Sequence, residues 1–263
     1  METSLTGKTA LITGGSLGLG KAMAAAFYSA GARVAIVARR QRPLDQAVAE
    51  ISAMDAGGGG GIAAFSCDVS DAAAIAATHA DIEARFGGVD ILVNNAGEAA
   101  AKPFAAITDE DWQHDIDLKL MAAVRLTRLA WPHMEAAKWG RIINVLNTMA
   151  KAPQPRSAPT SVTRAAGMAL TKVLAGEGAP HNILVNAMLI GLIKSDQVRR
   201  WHEASGSNVS LDEYIAKQGE ALPMGRMGEA EECGNLALFL ASNASSYVTG
   251  CAINMDGGMS RVV

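Results

Sequence analysis

Short, unbroken apolar runs separated by helical stretches recur along this chain, and no other feature narrows its fold so far. Residues 9–13, 34–37, 63–65, 91–93, 142–145, 183–185 and 252–255 read as strands. Helical patterns fall at 18–30, about 44–54, 71–86, 112–137 and 162–174, and the five glycines at 57–61 read as a loop. A strand with one wet face alternates apolar and polar residues, whereas a strand covered on both faces is apolar throughout. Strict alternation of such strands with helices implies right-handed crossovers and a doubly wound parallel sheet of Rossmann type, flanked by helices. No linker interrupts the rhythm, so residues 1–263 are expected to form a single domain. The stretch at about 192–222 breaks the pattern with polar, partly helical sequence and is expected to cover the cleft as a lid.

In sheets of this kind ligands sit at the carboxyl ends of the strands near the switch point. The first strand ends there in Thr13-Gly14-Gly15-Ser16-Leu17-Gly18-Leu19-Gly20. Glycines at these spacings let the backbone turn tightly and approach a pyrophosphate, and the following helix offers unpaired N–H groups to it. Gly14, Ser16, Leu17, Gly18, Leu19 and Gly20 are therefore candidate dinucleotide contacts. The second strand is followed by Ala38-Arg39-Arg40. An acidic residue there would bind the adenosine ribose, while Arg39 suits a 2′-phosphate, so NADP(H) is favoured over NAD(H).

Gly14-x-Ser16-x-Gly18 also spells a hydrolase nucleophile elbow, but such an elbow lies in mid-sheet and needs a later histidine at a strand tip. His181 and His202 are poorly placed for that.

The bulk properties exclude other classes. Lys and Arg number 23 against 26 Asp and Glu, a net charge of −3, so no nucleic-acid partner is expected. No apolar run is long enough to span a bilayer, and no signal peptide is evident. Cys67, Cys233 and Cys251 are widely spaced and read as buried thiols in a reducing, cytoplasmic setting. No metal-ligand spacing is visible.

With those motifs in place, the chain resembles the short-chain dehydrogenase/reductase family over essentially its whole length. The Thr13–Gly20 turn matches its cofactor fingerprint, and Cys67-Asp68-Val69 looks like its adenine-contacting segment. Asn94-Asn95-Ala96-Gly97 matches its motif after the fourth strand. Asn186-Ala187-Met188-Leu189-Ile190-Gly191 stands where the family has a Pro-Gly pair, with Ile190 in place of the proline. Pro223-Met224-Gly225-Arg226 and Asp256-Gly257-Gly258 resemble later landmarks. The resemblance implies that Asp68, Val69, Asn95, Ala96, Gly97, Arg164 and Gly191 join the cofactor contacts. It also implies a homo-oligomer, dimer or tetramer, pairing through the helix near Trp112 and the helix carrying Arg164, with the last strand as a second contact.

The catalytic group departs from the family pattern. The Ser position falls on Asn147, the Tyr position on Thr160, the Lys position on Arg164, and the Asn position on Asp117. A threonine hydroxyl does not ionise usefully near neutral pH, unlike a tuned phenol. Asn147 can still hydrogen-bond a carbonyl or hydroxyl, and Asp117 opposite Arg164 would hold a cation near the nicotinamide ribose. Of the tyrosines, Tyr28 and Tyr247 lie outside the cleft, and Tyr214 belongs to the lid as an anchor or a swinging donor. Lys151 and Arg156 are candidate contacts for an anionic substrate or plain surface charges. Three readings follow: an oxidoreductase acting on a carbonyl or alcohol of a small molecule with a non-standard active site, a catalytically silent NADP(H)-binding protein, and a non-redox lyase or hydratase.

Overall fold

The computed structural model describes residues 2–55 and 60–263. Its strands are β1 (Thr9–Thr13), β2 (Arg33–Ala38), β3 (Ile62–Ser66), β4 (Ile91–Asn94), β5 (Gly140–Asn147), β6 (Ile183–Ile190) and β7 (Ala252–Met255). They form one parallel sheet in the order β3-β2-β1-β4-β5-β6-β7. The chain thus reverses direction across the sheet between β1 and β4, the switch point expected of a doubly wound fold. Of the five-glycine loop, residues 57–59 lie outside the described residues.

Successive strand residues point to opposite faces, and both faces are buried. On one side Ala10, Ile12, Val34, Ile36, Val93 and Ile143 meet Met23 and Phe27 of α1 (Gly18–Ser29), Leu44 and Ile51 of α2 (Gln41–Ser52), and Cys233 and Ala237 of α9 (Ala230–Ala241). On the other side Leu11, Ala35, Val37, Leu92, Ile142 and Val185 meet α3 (Ala72–Phe86), α5 (Ala122–Ala137) and α6 (Thr160–Gly178). This two-sided burial is why the strands read as continuous apolar runs.

Local signals set several ends. Asp71 caps α3 by accepting the N–H groups of Ala73 at 2.7 Å and Ala74 at 3.2 Å. Thr108 and Asp111 cap α4 (Asp109–Asp115) reciprocally, at 3.2 and 3.1 Å. The helix expected over 112–137 is instead α4, a π turn over Ile116–Met121, and α5. The stretch expected to be a lid contains α7 (Asp196–Ser205) and α8 (Leu211–Glu220). Val198, Leu222 and Met227 bury between them, with Tyr214 packed alongside and its ring 5.2 Å from that of His202. Tyr214 is therefore an anchor of this small cluster. The expectation of three buried thiols is corrected: Cys67 and Cys233 are buried, but Cys251, at the entry to the edge strand β7, is exposed because no further strand covers it.

Candidate active site

The turn after β1 is shaped by two glycines. Gly14 has φ +65°, and a Cβ on Gly20 would stand 2.2 Å from the Gly14 carbonyl oxygen, so neither position accepts a side chain. The start of α1 has no side-chain cap and no acidic residue in its first turn. Its free N–H groups are thus available to an anion. Thr13 and Asn95 tie this turn to the tip of β4. The Thr13 hydroxyl accepts the N–H groups of Asn95 and Ala96, both at 2.9 Å, and Asn95 Nδ2 donates to the Thr13 and Gly14 carbonyls at 2.9 and 3.3 Å.

Between the tips of β1, β2 and β4 lies a cleft of about 160 Å³. Gly14, Ser16, Arg39, Asp68, Val69, Ala96 and Gly97 all line it. Arg39 stands at its rim, 3.9 Å from Glu98, and Glu98 is 3.5 Å from His114. Asp68 Oδ1 accepts the Ser70 N–H at 3.0 Å and its hydroxyl at 2.7 Å, which holds the Asp68 carboxyl below the usual range. A gap in the glycine turn, an uncapped helix start and an arginine at the far rim fit a phosphorylated dinucleotide. Leu17 precedes α1, while Gly18 and Leu19 open it, and Gly18 also faces Ser195 at the start of the 192–222 stretch. Gly191 follows β6 and donates its N–H to the Met255 carbonyl at 3.0 Å.

A second, smaller cavity shares Ala96 and Leu118 with this cleft and reaches Val145, Leu146 and Arg164 behind the tip of β5. Asn147 ends that strand with its Oδ1 buried and without a hydrogen-bond partner. Arg164, on α6, donates through Nη1 to the Val145 carbonyl, while its Nε has no partner. A Cβ on Gly97 would stand 2.7 Å from Arg164 Nη2, so the glycine lets the loop after β4 lie against the guanidinium. Burial pushes the Arg164 guanidinium down to about 10, and Asp115 opposes that shift.

Asp117 does not lie opposite Arg164. It pairs with Arg125 at 3.0 Å and accepts from Gln113 at 2.7 Å, away from α6. The residues that face α6 are Asp115 and Lys119. Lys119 Nζ pairs with Asp115 and donates to Thr160 Oγ1 at 3.1 Å, and the Thr163 hydroxyl donates to Asp115 at 2.6 Å. Both side chains of the Asp115–Lys119 pair are 1% exposed. Burial lowers the Lys119 pKa, and repulsion from Arg164 adds to it; Asp115 acts against both. The sequence reading missed Lys119. A signal existed: Asp115, Leu118, Lys119 and Ala122 fall at helical spacing on one buried stripe, and 117 is off it.

Thr160 is buried at the head of α6, where its Oγ1 also accepts the Ala100 N–H at 3.1 Å. Lys151 donates to the Ala252 carbonyl at 2.7 Å and Asn254 at 3.1 Å, tying the loop after β5 to β7. Arg156 is exposed with φ +65°. The histidines pair with Glu83, Glu98, Asp90 and Glu135 or, for His202, with the Val209 carbonyl, so none serves Ser16 as an elbow base. Among the described residues no group of His, Cys, Asp and Glu is gathered as metal ligands, and no helix is long and apolar enough to cross a membrane.

A family model described as enoyl-(acyl carrier protein) reductase matches residues 14–260. An acetoacetyl-CoA reductase from Rhizobium meliloti is 35% identical over 95% of this chain and 98% of its own. L-Sorbose reductase from Gluconobacter frateurii, solved with NADPH and L-sorbose, superposes with a TM-score of 0.93 at 34% identity, covering 100% of both chains. An NADPH-bound short chain oxidoreductase from Pseudomonas aeruginosa PAO1, described as containing an atypical catalytic center, superposes with a TM-score of 0.89 at 35% identity over 99% of each chain.

Proposed function

The chain belongs to the short-chain dehydrogenase/reductase family, and from that premise we propose that it is a single-domain, cytoplasmic, NADP(H)-dependent oxidoreductase acting on a carbonyl or alcohol of a small molecule through a rebuilt active site. One observation carries the reading: the cleft lined by Gly14, Arg39, Asp68 and Gly97 borders Arg164 through Gly97, on which a Cβ would stand 2.7 Å from the guanidinium. NADPH occupies the L-sorbose reductase and Pseudomonas relatives, which supports the same cofactor here.

The glycine turn and the start of α1 would hold the pyrophosphate, Arg39 the 2′-phosphate, and Asp68 with Val69 the adenine. Arg164 and Gly97 would border the nicotinamide ribose. When bound, the reduced nicotinamide supplies a hydride to a carbonyl carbon. Asn147 would orient the substrate oxygen, its amide donating to a carbonyl or its unpaired Oδ1 accepting from a hydroxyl. The segment holding α7 and α8 would close over the substrate. Val162 and Val173, 51% and 57% exposed on α6, support pairing of two chains through α5 and α6, and the edge strand β7 a second pairing. Light scattering that returned the 27.2 kDa monomer would reject the oligomer.

The replacement of the whole catalytic group favours a second reading, a silent NADP(H)-binding protein. Titration of nicotinamide fluorescence, followed by turnover with L-sorbose and acetoacetyl-CoA, separates the two. NADPH binding with turnover that Asn147→Ala abolishes supports the oxidoreductase. Binding without turnover supports the silent protein, and substrate conversion without cofactor oxidation supports a lyase or hydratase.

A further inference from the structure

Resting on the oxidoreductase reading above, we propose that the Thr160 hydroxyl gives the substrate oxygen its proton and that Lys119 replaces that proton. Thr160 Oγ1 accepts from Lys119 Nζ and from the Ala100 N–H, both at 3.1 Å. An sp³ hydroxyl has two lone pairs, so both are occupied and its own hydrogen must go elsewhere. Among the described residues no acceptor takes it. Thr13 is the contrast within the same fold: its hydroxyl also accepts two N–H groups, but it hands its hydrogen to the Val93 carbonyl at 3.3 Å. Thr160 is therefore a buried donor held ready by two bonds that fix its oxygen and leave its hydrogen unassigned.

Lys119 supplies what a threonine lacks. The groups facing its ammonium are Asp115 on its own segment, Thr160 and Arg164 on α6, and Glu98 on the loop after β4. Asp115, itself held by the Thr163 hydroxyl, anchors one side, and the other side donates into Thr160. Burial and the Arg164 charge favour release of a proton from Lys119. Arg164 stays charged at neutral pH and cannot serve. The cation that touches the hydroxyl at the tyrosine position thus comes from residue 119 and not from residue 164.

The step balances without a stable threonine alkoxide. As the carbonyl carbon gains a hydride, with its two electrons, from the reduced dinucleotide, the Thr160 O–H bond breaks toward the new alkoxide. In the same movement an N–H bond of Lys119 breaks toward Thr160. The products are the alcohol, an intact threonine and a neutral lysine, which a solvent proton restores. The reverse sequence serves alcohol oxidation.

The test compares Thr160→Ser, Thr160→Val, Lys119→Arg and Lys119→Met with wild type, using NADPH and either L-sorbose or acetoacetyl-CoA. Lys119→Arg preserves the charge against Asp115 but withholds the proton, and its melting temperature checks that it folds. Lys119→Arg and Thr160→Val are expected to lower kcat by about 100-fold or more, Thr160→Ser to restore most of it, and NADPH affinity to stay unchanged in all of them. Wild-type kcat for reduction is expected to fall as pH rises through the Lys119 titration, which burial lowers from the ordinary lysine value. In the cofactor-free protein labelled with [ε-¹³C]lysine, one resonance should titrate below the ordinary lysine value of about 10.4 and vanish in Lys119→Met. Wild-type kcat in Lys119→Arg or Thr160→Val, or a Lys119 resonance titrating at the ordinary lysine value, would overturn the relay. A wild-type chain that binds NADPH and reduces neither carbonyl overturns the oxidoreductase reading instead. The lysine titration needs no substrate and keeps the two failures apart.

Discussion

Thr13 and Asn95 grip one another from the tips of two adjacent strands: the Thr13 hydroxyl accepts the Asn95 N–H and the Asn95 amide donates to the Thr13 carbonyl, both at 2.9 Å. The pair joins the glycine turn of β1 to the loop after β4 at the point where the sheet changes direction. Cofactor cleft and sheet therefore share one support.

Removing that support should cost both stability and cofactor affinity. Thr13→Ala strands the half-buried N–H groups of Asn95 and Ala96, at up to about 1–3 kcal/mol each. Thermal unfolding should move down by on the order of 5–10 °C for a chain of this size. Thr13→Ser keeps the hydroxyl and should stay close to wild type. Equal melting temperatures for Ala and Ser would refute the clamp.

Arg39 is tested by its choice between two cofactors. If it receives the 2′-phosphate, Arg39→Ala loses a charge-assisted bond of about 1.5–3 kcal/mol, roughly a 10- to 100-fold loss in NADPH affinity. NADH has no 2′-phosphate, so its affinity should hardly move. A parallel loss for both cofactors would remove Arg39 from phosphate recognition. Glu98, 3.9 Å from Arg39, should compete with the phosphate, so Glu98→Gln is expected to tighten NADPH binding selectively.

The thiols should divide by burial. Burial pushes the Cys233 thiol up to about 12 and raises that of Cys67, while Cys251 is exposed. An aromatic disulfide reagent at pH 8 should label one thiol rapidly in the native chain and three after unfolding. Cys251→Ser should abolish the rapid phase; a rapid phase that survives would contradict the burial of the other two.

His79 makes stability depend on pH. Its ring is buried, with Nε2 unpartnered, and burial lowers its pKa despite Glu83 nearby. The unfolded chain then binds the proton more readily than the folded one. The contribution is fully present above the unfolded value of about 6.5 and is lost as pH falls toward the lowered folded value. Urea midpoints should fall from pH 7.5 to pH 5.5 in wild type and change less in His79→Gln. Parallel profiles would assign the pH response to other groups.

The doubly wound sheet was legible because its cause is local and repeated. Runs such as residues 9–13 and 91–93 are apolar at every position, and only burial on both faces requires that. The cofactor turn was legible for a similar reason, since Gly14 and Gly20 are demanded by backbone geometry within eight residues of chain. Helix ends were less so: α9 closes on the continuous apolar run 236–241, which masks the helical spacing of its buried Cys233, Ala237, Leu240 and Ala241.

Sequence alone determined the fold class, the position of the glycine turn and the threonine at 160, where the family resemblance implies a tyrosine. Only the tertiary structure decided which side chain meets that threonine. The family resemblance implied Asp117 against Arg164, but a π turn and the buried stripe of Asp115, Leu118 and Ala122 turn 117 toward Arg125 and bring Lys119 to Thr160. Those two residues lie 41 positions apart on different helices. Their contact depends on how two helices pack, and packing is a property of the whole core that no single stretch of chain records.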